Sequence, residues 1–406
     1  MRSRLLPEST TPDARRLLWT RSLRGFADGV VSVLLADYLL RLGLSAAQVG
    51  VVVTSTLLGS AALTIAVGLG AHRLEHRMLL LAASGLMLST GLLFVGIRSF
   101  WAIVMIAFVG TINPSSGDVS VFLPTEQAVL AETVRPRERT AIFAWYNLSG
   151  TFAGAVGALA SGLPDRIAKS LGIDVLSAQR GAFLLYAALG ACCALVYSRL
   201  SRGVEVGSGP QARALAKSKR IVLKLAAYFS LDSFGGGFVV QSLLVLWLYR
   251  RFQLSPEVTG AIFFGASLVG ALSQFVSSWL AGRIGAIRTM VFTHLPANVF
   301  LIVAGLVPTA PLAVAFLLLR ASLSSMDVPA RQAYVMAVVP PEERAAAASV
   351  TNVPRSLASA IPPTLTGLLL AHSSFGWPLI VAGVLKGLYD LLLLAEFRHV
   401  QGAEDA

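Results

Sequence analysis

The chain has 406 residues, of which 55% are apolar and only 13% charged, and its mean hydropathy is +0.72. These values exclude a string of water-soluble domains, because so few polar residues cannot cover their surface. The formal net charge of +12 does not indicate a nucleic-acid partner, because the basic residues outside the apolar segments lie mostly on one side of the membrane that those segments predict.

Apolar runs of about twenty residues, the length that crosses a hydrocarbon core of about 30 Å, recur along the whole chain. We therefore predict an all-α membrane protein of twelve transmembrane helices in two pseudo-symmetric six-helix bundles. The predicted spans, numbered in chain order, are 22–41, 48–69, 78–97, 100–131, 141–163, 179–198, 222–249, 257–281, 287–307, 311–339, 345–371 and 375–397.

The spans and the basic loops between them predict the domain organisation. Because Lys and Arg accumulate on the cytoplasmic side, we expect both termini in the cytoplasm of a multi-pass protein of the bacterial inner membrane. No cleavable signal pattern precedes the first span. The predicted parts are a cytoplasmic segment 1–21, a first bundle 22–198, a linker 199–221, a second bundle 222–397 and a cytoplasmic tail 398–406.

An internal repeat supports the division into two bundles. Identical residues recur at an offset of 205 positions, which is about half of the chain, so the protein consists of a duplicated unit. The matched pairs are Pro124/Pro329, Gln127/Gln332, Ala128/Ala333, Pro136/Pro341, Glu138/Glu343, Arg139/Arg344 and Asn147/Asn352. At one repeat position the copies differ in charge, Glu126 against Arg331, and we expect function to depend on this difference.

Charged residues occur inside the predicted spans, where each costs about 2.5–3.5 kcal/mol on insertion scales. They must therefore face one another or a water-filled cavity. Most of them lie on spans 1, 4, 7 and 10, and we expect these four spans to converge on one central cavity. The charged residues inside all the predicted spans are Arg24, Asp28, Asp118, Glu126, Asp232, Arg320, Asp327, Arg331, Arg355, Lys386 and Asp390.

Some of these charges have a partner four residues away on the same helix face and can neutralise each other there. The pairs are Arg24/Asp28, Asp327/Arg331 and Lys386/Asp390. Asp118, Glu126 and Asp232 have no such neighbour, and a carboxylate in a low-dielectric site can take up and release a proton near neutral pH. We therefore predict these three residues as proton carriers.

The candidates for the substrate site or its gate are Arg24, Asp28, Asn147, Asp327, Arg331 and Asn352. Arg331, if it faces Glu126, is either a gate that locks one conformation or a ligand for an anionic substrate group. Asn147 and Asn352, one in each copy of the repeat, either line the path or form hydrogen bonds between helices.

Motifs of other protein classes are absent from the sequence. It contains no His-Glu-x-x-His, Cys-x-x-Cys, phosphate-binding glycine loop or Gly-x-Ser-x-Gly. This argues against a membrane enzyme and against a nucleotide-driven pump, and we expect no cofactor and no metal site.

The loops after spans 2 and 8 carry a resemblance to a known family. The first loop keeps Gly68, Ala71, Arg73 and Arg77, and the second keeps Leu280, Ala281, Arg283 and Gly285. With twelve spans and a basic central linker, this pattern resembles the major facilitator superfamily, whose loop motif is Gly-x-Leu-Ala-Asp-Arg-x-Gly-Arg-Lys. The motif's Asp is replaced by His72 and Gly282, which puts the family's cytoplasmic charge network in doubt here.

The resemblance implies two bundles that rock about a site at the middle of the membrane, lined by spans 1, 4, 7 and 10. In length and loop style the chain is similar to bacterial exporters of drugs and toxic solutes, including arsenical-type compounds. We therefore expect a monomeric, proton-coupled antiporter that exports a small toxic solute, with the lipid bilayer, protons and the solute as its partners.

Two alternatives remain open. Proton-driven uptake of a small organic or inorganic anion is favoured by the number of arginines in the spans, because arginine binds carboxylates and oxyanions. A transporter-like receptor that moves nothing is the other alternative, and we expect such a protein to carry a larger soluble extension than the termini and linker provide.

Overall fold

The computed structural model describes residues 10–70, 75–115, 122–135, 138–201, 218–340 and 343–397. Its regular elements in these ranges are helices, numbered here in chain order. They are α1 (Pro12–Arg41), α2 (Ala46–Gly70), α3 (His76–Gly96), α4 (Phe100–Val109), α5 (Phe122–Glu132), α6 (Arg139–Ala160), α7 (Leu163–Leu171), α8 (Val175–Tyr197), α9 (Lys219–Gly237), α10 (Gln241–Phe252), α11 (Pro256–Ile284), α12 (Ala286–Leu306), α13 (Ala310–Ser324), α14 (Asp327–Val338), α15 (Arg344–Ala360), α16 (Pro362–His372) and α17 (Trp377–Phe397).

The helices confirm the all-α membrane class. Seven stretches of the described chain are helical, long enough and apolar enough to cross a bilayer, and α4 and α13 are shorter apolar helices. Spans 4, 7, 10 and 11 of the sequence-based assignment each correspond to two consecutive helices. The count of twelve crossings stays a prediction.

Glycine and proline account for where the longer spans are interrupted. The sequence predicts a bend at the three glycines of span 7, and α9 ends at the last of them, Gly237. A Cβ on Gly237 would overlap the carbonyl oxygen of Ser359 on α15, so the close approach of these helices requires glycine there. In span 11, Pro362 occupies the first turn of α16, where its missing N–H is tolerated.

The first helix begins earlier than the sequence predicts. It starts at Pro12, ten residues before the predicted span, because Thr11 caps it: its Oγ1 accepts a hydrogen bond from the Ala14 N–H at 3.2 Å. The loop that follows span 5 holds a short helix, α7, as expected.

The helices divide into two compact units. Unit 1 contains Met1–Leu44, Ser55–Gly209 and Ser255–Phe264, and unit 2 contains Ser45–Thr54, Pro210–Leu254 and Gly265–Ala406. The predicted bundle limits, 22–198 and 222–397, stay a prediction.

In unit 1, α1 packs mainly against α6 through small residues. A Cβ on Gly25 or on Gly29 would overlap the backbone of Gly150 or Gly154, respectively. The four-residue spacing of glycines on α6 therefore forms the smooth surface on which α1 lies. The close contact fixes the rotation of α1, and with it the direction in which its charged residues point.

Unit 1 also includes the first turns of α11. Arg166 on α7 forms an ion pair with Glu257, and a Cβ on Gly260 would overlap the backbone of Ala158 on α6. In unit 2, the first turns of α2 pack on α16. There Thr54 Oγ1 lies 2.8 Å from Thr364 Oγ1.

The core of unit 2 brings α9, α12 and α17 together. The helix α12 packs mainly against α17 and α13, and α9 packs against α15 and α17. Buried apolar side chains from these helices, among them Phe229, Met290 and Leu393, form one cluster. The polar residues of α9, α12 and α17 that lie one or two turns away are thereby brought within bonding distance of one another.

Candidate functional site

The acidic repeat position in unit 1, Glu126 on α5, is completely buried and bonded on both carboxylate oxygens. Arg24 of α1 and the Tyr146 hydroxyl donate to Oε2. The Tyr197 hydroxyl, at 2.5 Å, and Thr20 Oγ1, at 2.8 Å, donate to Oε1. Four donors from three different helices therefore converge on one carboxylate.

Arg24 is only 2% exposed, and its guanidinium carbon lies 4.2 Å from the centre of the Phe122 ring. The ring and the carboxylate together stabilise a cation that water does not reach. The sequence shows no opposite charge four residues from Glu126 on its own helix, and the role of Glu126 as a proton carrier stays a prediction. The counter-charge comes from another helix, which the spacing of residues along one helix does not reveal.

In unit 2, Asp232 of α9 is the centre of a larger charge cluster. The Lys386 ammonium nitrogen lies 2.5 Å from its Oδ1, and Nη1 of Arg331 lies 3.6 Å from its Oδ2. Arg331 also bonds Asp327, one turn earlier on α14, at 3.0 Å. This last contact confirms the predicted pair Asp327/Arg331, whereas Asp232 has cationic partners that the sequence does not predict.

The predicted pair Lys386/Asp390 is wrong, although both residues lie on α17. Lys386 bonds Asp232, and Asp390 accepts hydrogen bonds from α12 instead. His294 Nδ1 lies 2.9 Å from its Oδ1, and Asn298 Nδ2 lies 2.8 Å from its Oδ2. Neutralisation therefore occurs between helices and not along α17.

The ion pairs of the two units correspond to each other with the signs exchanged. In unit 1, Arg24 of span 1 pairs with Glu126 of span 4. In unit 2, Asp232 of span 7 lies beside Arg331 of span 10. Arg331 follows Glu126 by 205 positions, and Asp232 follows Arg24 by 208. Both partners of the pair have reversed charge between the two copies.

A sequence signal for this correspondence exists. At an offset of 208, three identities surround the reversed charge: Leu23/Leu231, Phe26/Phe234 and Gly29/Gly237. This offset differs from the offset of 205 that relates the later parts of the two units, so the repeat found at 205 does not align spans 1 and 7.

Two arginines of unit 2 have no carboxylate within ion-pair distance among the described residues. Arg355 of α15 donates to Ser233 Oγ at 3.2 Å and to Asn352 Oδ1 at 3.3 Å, both uncharged. On Arg320 of α13, the buried Nε has no hydrogen-bond partner in the described part of the chain. Both side chains still interact electrostatically with Asp232.

The other predicted site residues are not among the ion-pair partners described above. Asn147 and Asn352 are exposed, and Asp28 is half-buried on α1, one turn after Arg24. Asp118 lies outside the described residues, so its predicted role is not tested.

The loop-motif residues belong to the ends of helices. Gly68 lies in the last turn of α2, and Arg73 lies outside the described residues. Arg77 donates to the Ser198 carbonyl at 2.5 Å, and Arg283 lies over the Trp279 ring at 4.1 Å. Gly285 has a φ of 83°, a left-handed conformation that favours glycine, and it separates α11 from α12.

Sequence reasoning missed His294 entirely. It is 3% exposed and lies between two carboxylates, Asp390 and Asp232. The available signal is its spacing of four residues from Asn298 within an apolar run, which places both polar side chains on one face of α12.

Comparison with known proteins identifies the family. The model of the Major Facilitator Superfamily matches residues 17–248 and 225–403. A relative in Saccharomyces cerevisiae, an uncharacterized membrane protein, is 27% identical in an alignment 425 residues long that covers 95% of this chain and 94% of the relative.

Solved structures share the fold at low sequence identity. A bacterial homolog of the human lysosomal transporter Spinster, in an inward-facing and unoccupied conformation, has a TM-score of 0.72 and 15% identity over 96% of both chains. The nucleoside transporter NupG has a TM-score of 0.72 and 14% sequence identity, and the match covers 96% of this chain and 100% of NupG. A D-xylose–proton symporter has a TM-score of 0.72 and 13% sequence identity, and the match covers 94% of this chain and 96% of the symporter.

Proposed function

Because this chain belongs to the Major Facilitator Superfamily, we propose that it is a proton-coupled secondary transporter that exports a small toxic solute by antiport. The observation that carries the proposal is the burial, in each unit, of a carboxylate bonded to a cation from another helix. Glu126 is bonded to Arg24, and Asp232 is bonded to Lys386.

Such a pair is suited to coupling solute movement to proton movement, because a cationic side chain, a proton or a solute can each bind the same carboxylate. The arginine or lysine neutralises it in the state described here. A proton or a cationic solute can also neutralise it, whereas a neutral solute can only donate hydrogen bonds to it. Each exchange releases the cationic side chain and therefore changes the contact between two helices, which links proton binding to conformation.

Two arginines that could bind an anionic solute are already paired with carboxylates, and this favours export over anion uptake. Arg24 is bonded to Glu126, and Arg331 is bonded to Asp327 with Asp232 near by. An anionic solute would have to displace a buried carboxylate from either of them. A neutral or cationic solute competes only with a cation or a proton.

Uptake of a small anion is the second candidate function. It is supported by Arg320 and Arg355, which have no carboxylate within ion-pair distance among the described residues. A relative that shares the fold, the D-xylose–proton symporter, is named for movement of solute and proton together. We place the protein in the inner membrane with both termini in the cytoplasm, under either function.

The test is proton movement in liposomes. Purified protein is reconstituted with a pH-sensitive dye inside, and arsenicals, cationic drugs and small organic anions are added in turn. Export by antiport predicts that a neutral or cationic toxic compound drives proton movement opposite to its own. Movement driven only by anions, in the same direction as the proton, would support uptake instead.

Two variants complete the test. Glu126→Gln removes the buried carboxylate, and we expect it to abolish proton movement. Glu396→Gln is the matched control, because Glu396 forms an exposed pair with Lys224. If both variants move protons as the wild type does, Glu126 has no part in coupling.

A further inference from the structure

A buried histidine joins two carboxylates of unit 2 that belong to different helices. His294 of α12 is 3% exposed; its Nδ1 lies 2.9 Å from Oδ1 of Asp390, and its Nε2 lies 3.8 Å from Oδ1 of Asp232. The second distance is within ion-pair range but longer than a hydrogen bond. The proposed transport function rests on the carboxylates Glu126 and Asp232, and it does not assign a role to His294.

The neighbours of the ring determine which nitrogen carries hydrogen. An ionised carboxylate only accepts hydrogen bonds, so Nδ1, beside Asp390, is the protonated nitrogen of the neutral ring. Asn298 holds this carboxylate in place, because its Nδ2 donates a hydrogen bond to Oδ2 of Asp390 at 2.8 Å. The nitrogen that remains to take up a proton is Nε2, which faces Asp232.

The charges within ion-pair distance balance only when the ring is protonated. Among the described residues, the ion pairs of this cluster join three carboxylates and two permanent cations, so within this set a neutral His294 leaves one negative charge without compensation. An imidazolium brings the sum to zero. The carboxylates are Asp232, Asp327 and Asp390, and the cations are Lys386 and Arg331.

Further groups lie around these ion pairs without forming ion pairs with them among the described residues. Tyr389 of α17 packs against the imidazole with its ring centre 6.1 Å away, at 82° to it. Arg320 of α13 and Arg355 of α15 act on Asp232 electrostatically, without an ion pair among the described residues.

We propose that His294 is a proton-binding site whose occupancy decides whether Asp232 is held by Lys386 or by His294. The neutral ring takes up one proton at Nε2, which lies 3.8 Å from the carboxylate oxygen that Lys386 contacts at 2.5 Å. Imidazolium and ammonium then compete for that oxygen. Because Asp232 also lies beside Arg331, the outcome reaches α14, the helix with the charge-reversed repeat position. The link to solute movement rests on the proposed function, whereas the proton site itself does not.

The site is tested by nuclear magnetic resonance on the full chain in lipid nanodiscs, with histidine and lysine labelled with ¹⁵N. The His294 signals are those absent from His294→Gln. If that variant does not fold, a chain in which all other histidines are replaced by glutamine leaves only the His294 imidazole; the replaced residues are His72, His76, His372 and His399.

We expect three results. The neutral ring is the Nδ1–H tautomer at high pH, it becomes imidazolium when it binds a proton as the pH is lowered, and the Lys386 signal shifts together with the ring signals. In Asp390→Asn the preference for the Nδ1–H tautomer is lost. His372→Gln is the control, because His372 is exposed on α16, and it leaves the His294 titration unchanged. A neutral Nε2–H tautomer, a ring that stays neutral throughout, or a Lys386 signal that does not follow the ring would overturn the proposal.

Liposome assays separate this proposal from the proposed function. If wild type and His372→Gln move protons with a solute and His294→Gln exchanges solute without protons, the coupling role is supported. If His294→Gln moves protons as the wild type does, the coupling role is overturned and the proposed function stands. If the wild type moves no protons with any compound, the proposed function fails, and the titration still decides the proton site.

Discussion

Nη1 of Arg331 lies 3.6 Å from Oδ2 of Asp232, and the equivalent residues of unit 1 form the same pair with opposite signs. There the arginine is Arg24 and the carboxylate is Glu126. A duplicated unit has thus kept an ion pair between the same two spans while both partners changed charge. What the two units have in common is a neutralised contact between helices, and not a particular residue at either position.

The first prediction concerns the buried pair of unit 1. Glu126→Gln removes the carboxylate that pairs with the buried Arg24 guanidinium, and we expect a loss of about 3–5 kcal/mol in the free energy of unfolding. The double variant Arg24→Gln with Glu126→Gln removes both charges and should recover a large part of this loss. Thermal unfolding in detergent, followed by tryptophan fluorescence, measures both.

The control for this prediction is an exposed pair. Lys224 and Glu396 are 43% and 40% exposed, so Glu396→Gln should cost at most about 1 kcal/mol. Equal effects of Glu126→Gln and Glu396→Gln would contradict the assignment of Glu126 to a buried ion pair.

The second prediction ranks the carboxylates of unit 2. Asp232→Asn removes the counter-charge of Lys386 and also the carboxylate within ion-pair distance of Arg331 and His294. Asp327→Asn removes an ion pair of Arg331 alone, and Arg331 keeps Asp232 near by. We expect Asp232→Asn to cost several kcal/mol and Asp327→Asn roughly half as much. The same unfolding measurement decides the order, and a larger loss in Asp327→Asn would refute it.

The third prediction concerns the contact of α1 with α6. A Cβ on Gly29 would overlap the carbonyl oxygen of Gly154, and backbone cannot move aside as a flexible side chain can. Gly29→Ala should therefore force the helices apart and cost about 1–3 kcal/mol or more. The control is Gly85→Ala on α3, where nothing lies within 4 Å of the added carbon. We expect that variant to gain up to about 1 kcal/mol, because alanine favours helix.

The fourth prediction is a dependence of stability on pH that originates on α7. Burial raises the pKa of the Asp165 carboxyl above its ordinary value, and the nearby Asp37 carboxylate raises this pKa further. The folded state therefore keeps a proton that the unfolded state has already lost. Stability falls as the pH rises from the ordinary pKa of 3.8 through the raised value.

Asp165→Asn removes this cost, so its unfolding midpoint at pH 7 should exceed that of the wild type by about 1–2 °C. The difference should narrow as the pH falls toward 3.8, which midpoints recorded at several pH values will test. Asp174→Asn is the matched control, because Asp174 caps α8 and asparagine caps a helix equally well. A difference for Asp165→Asn that grows in acid would reverse the sign of the argument.

The sequence by itself determined the membrane class, the duplication, and the spans that carry the charges. These properties follow from composition and from repetition along the chain, which do not depend on how the helices pack. It also predicted the pair Asp327/Arg331, which the structure contains, because residues four apart lie on one helix face.

Only the tertiary structure decided the other partners. Arg24 and Glu126 are 102 residues apart, and Lys386 and Asp232 are 154 apart, so each contact depends on the rotation of two helices about their axes. Packing sets that rotation, as Gly25 and Gly29 do for α1 against α6. The same spacing of four residues that pairs Asp327 with Arg331 therefore leaves Lys386 and Asp390 apart, because α17 presents Lys386 to α9 and Asp390 to α12.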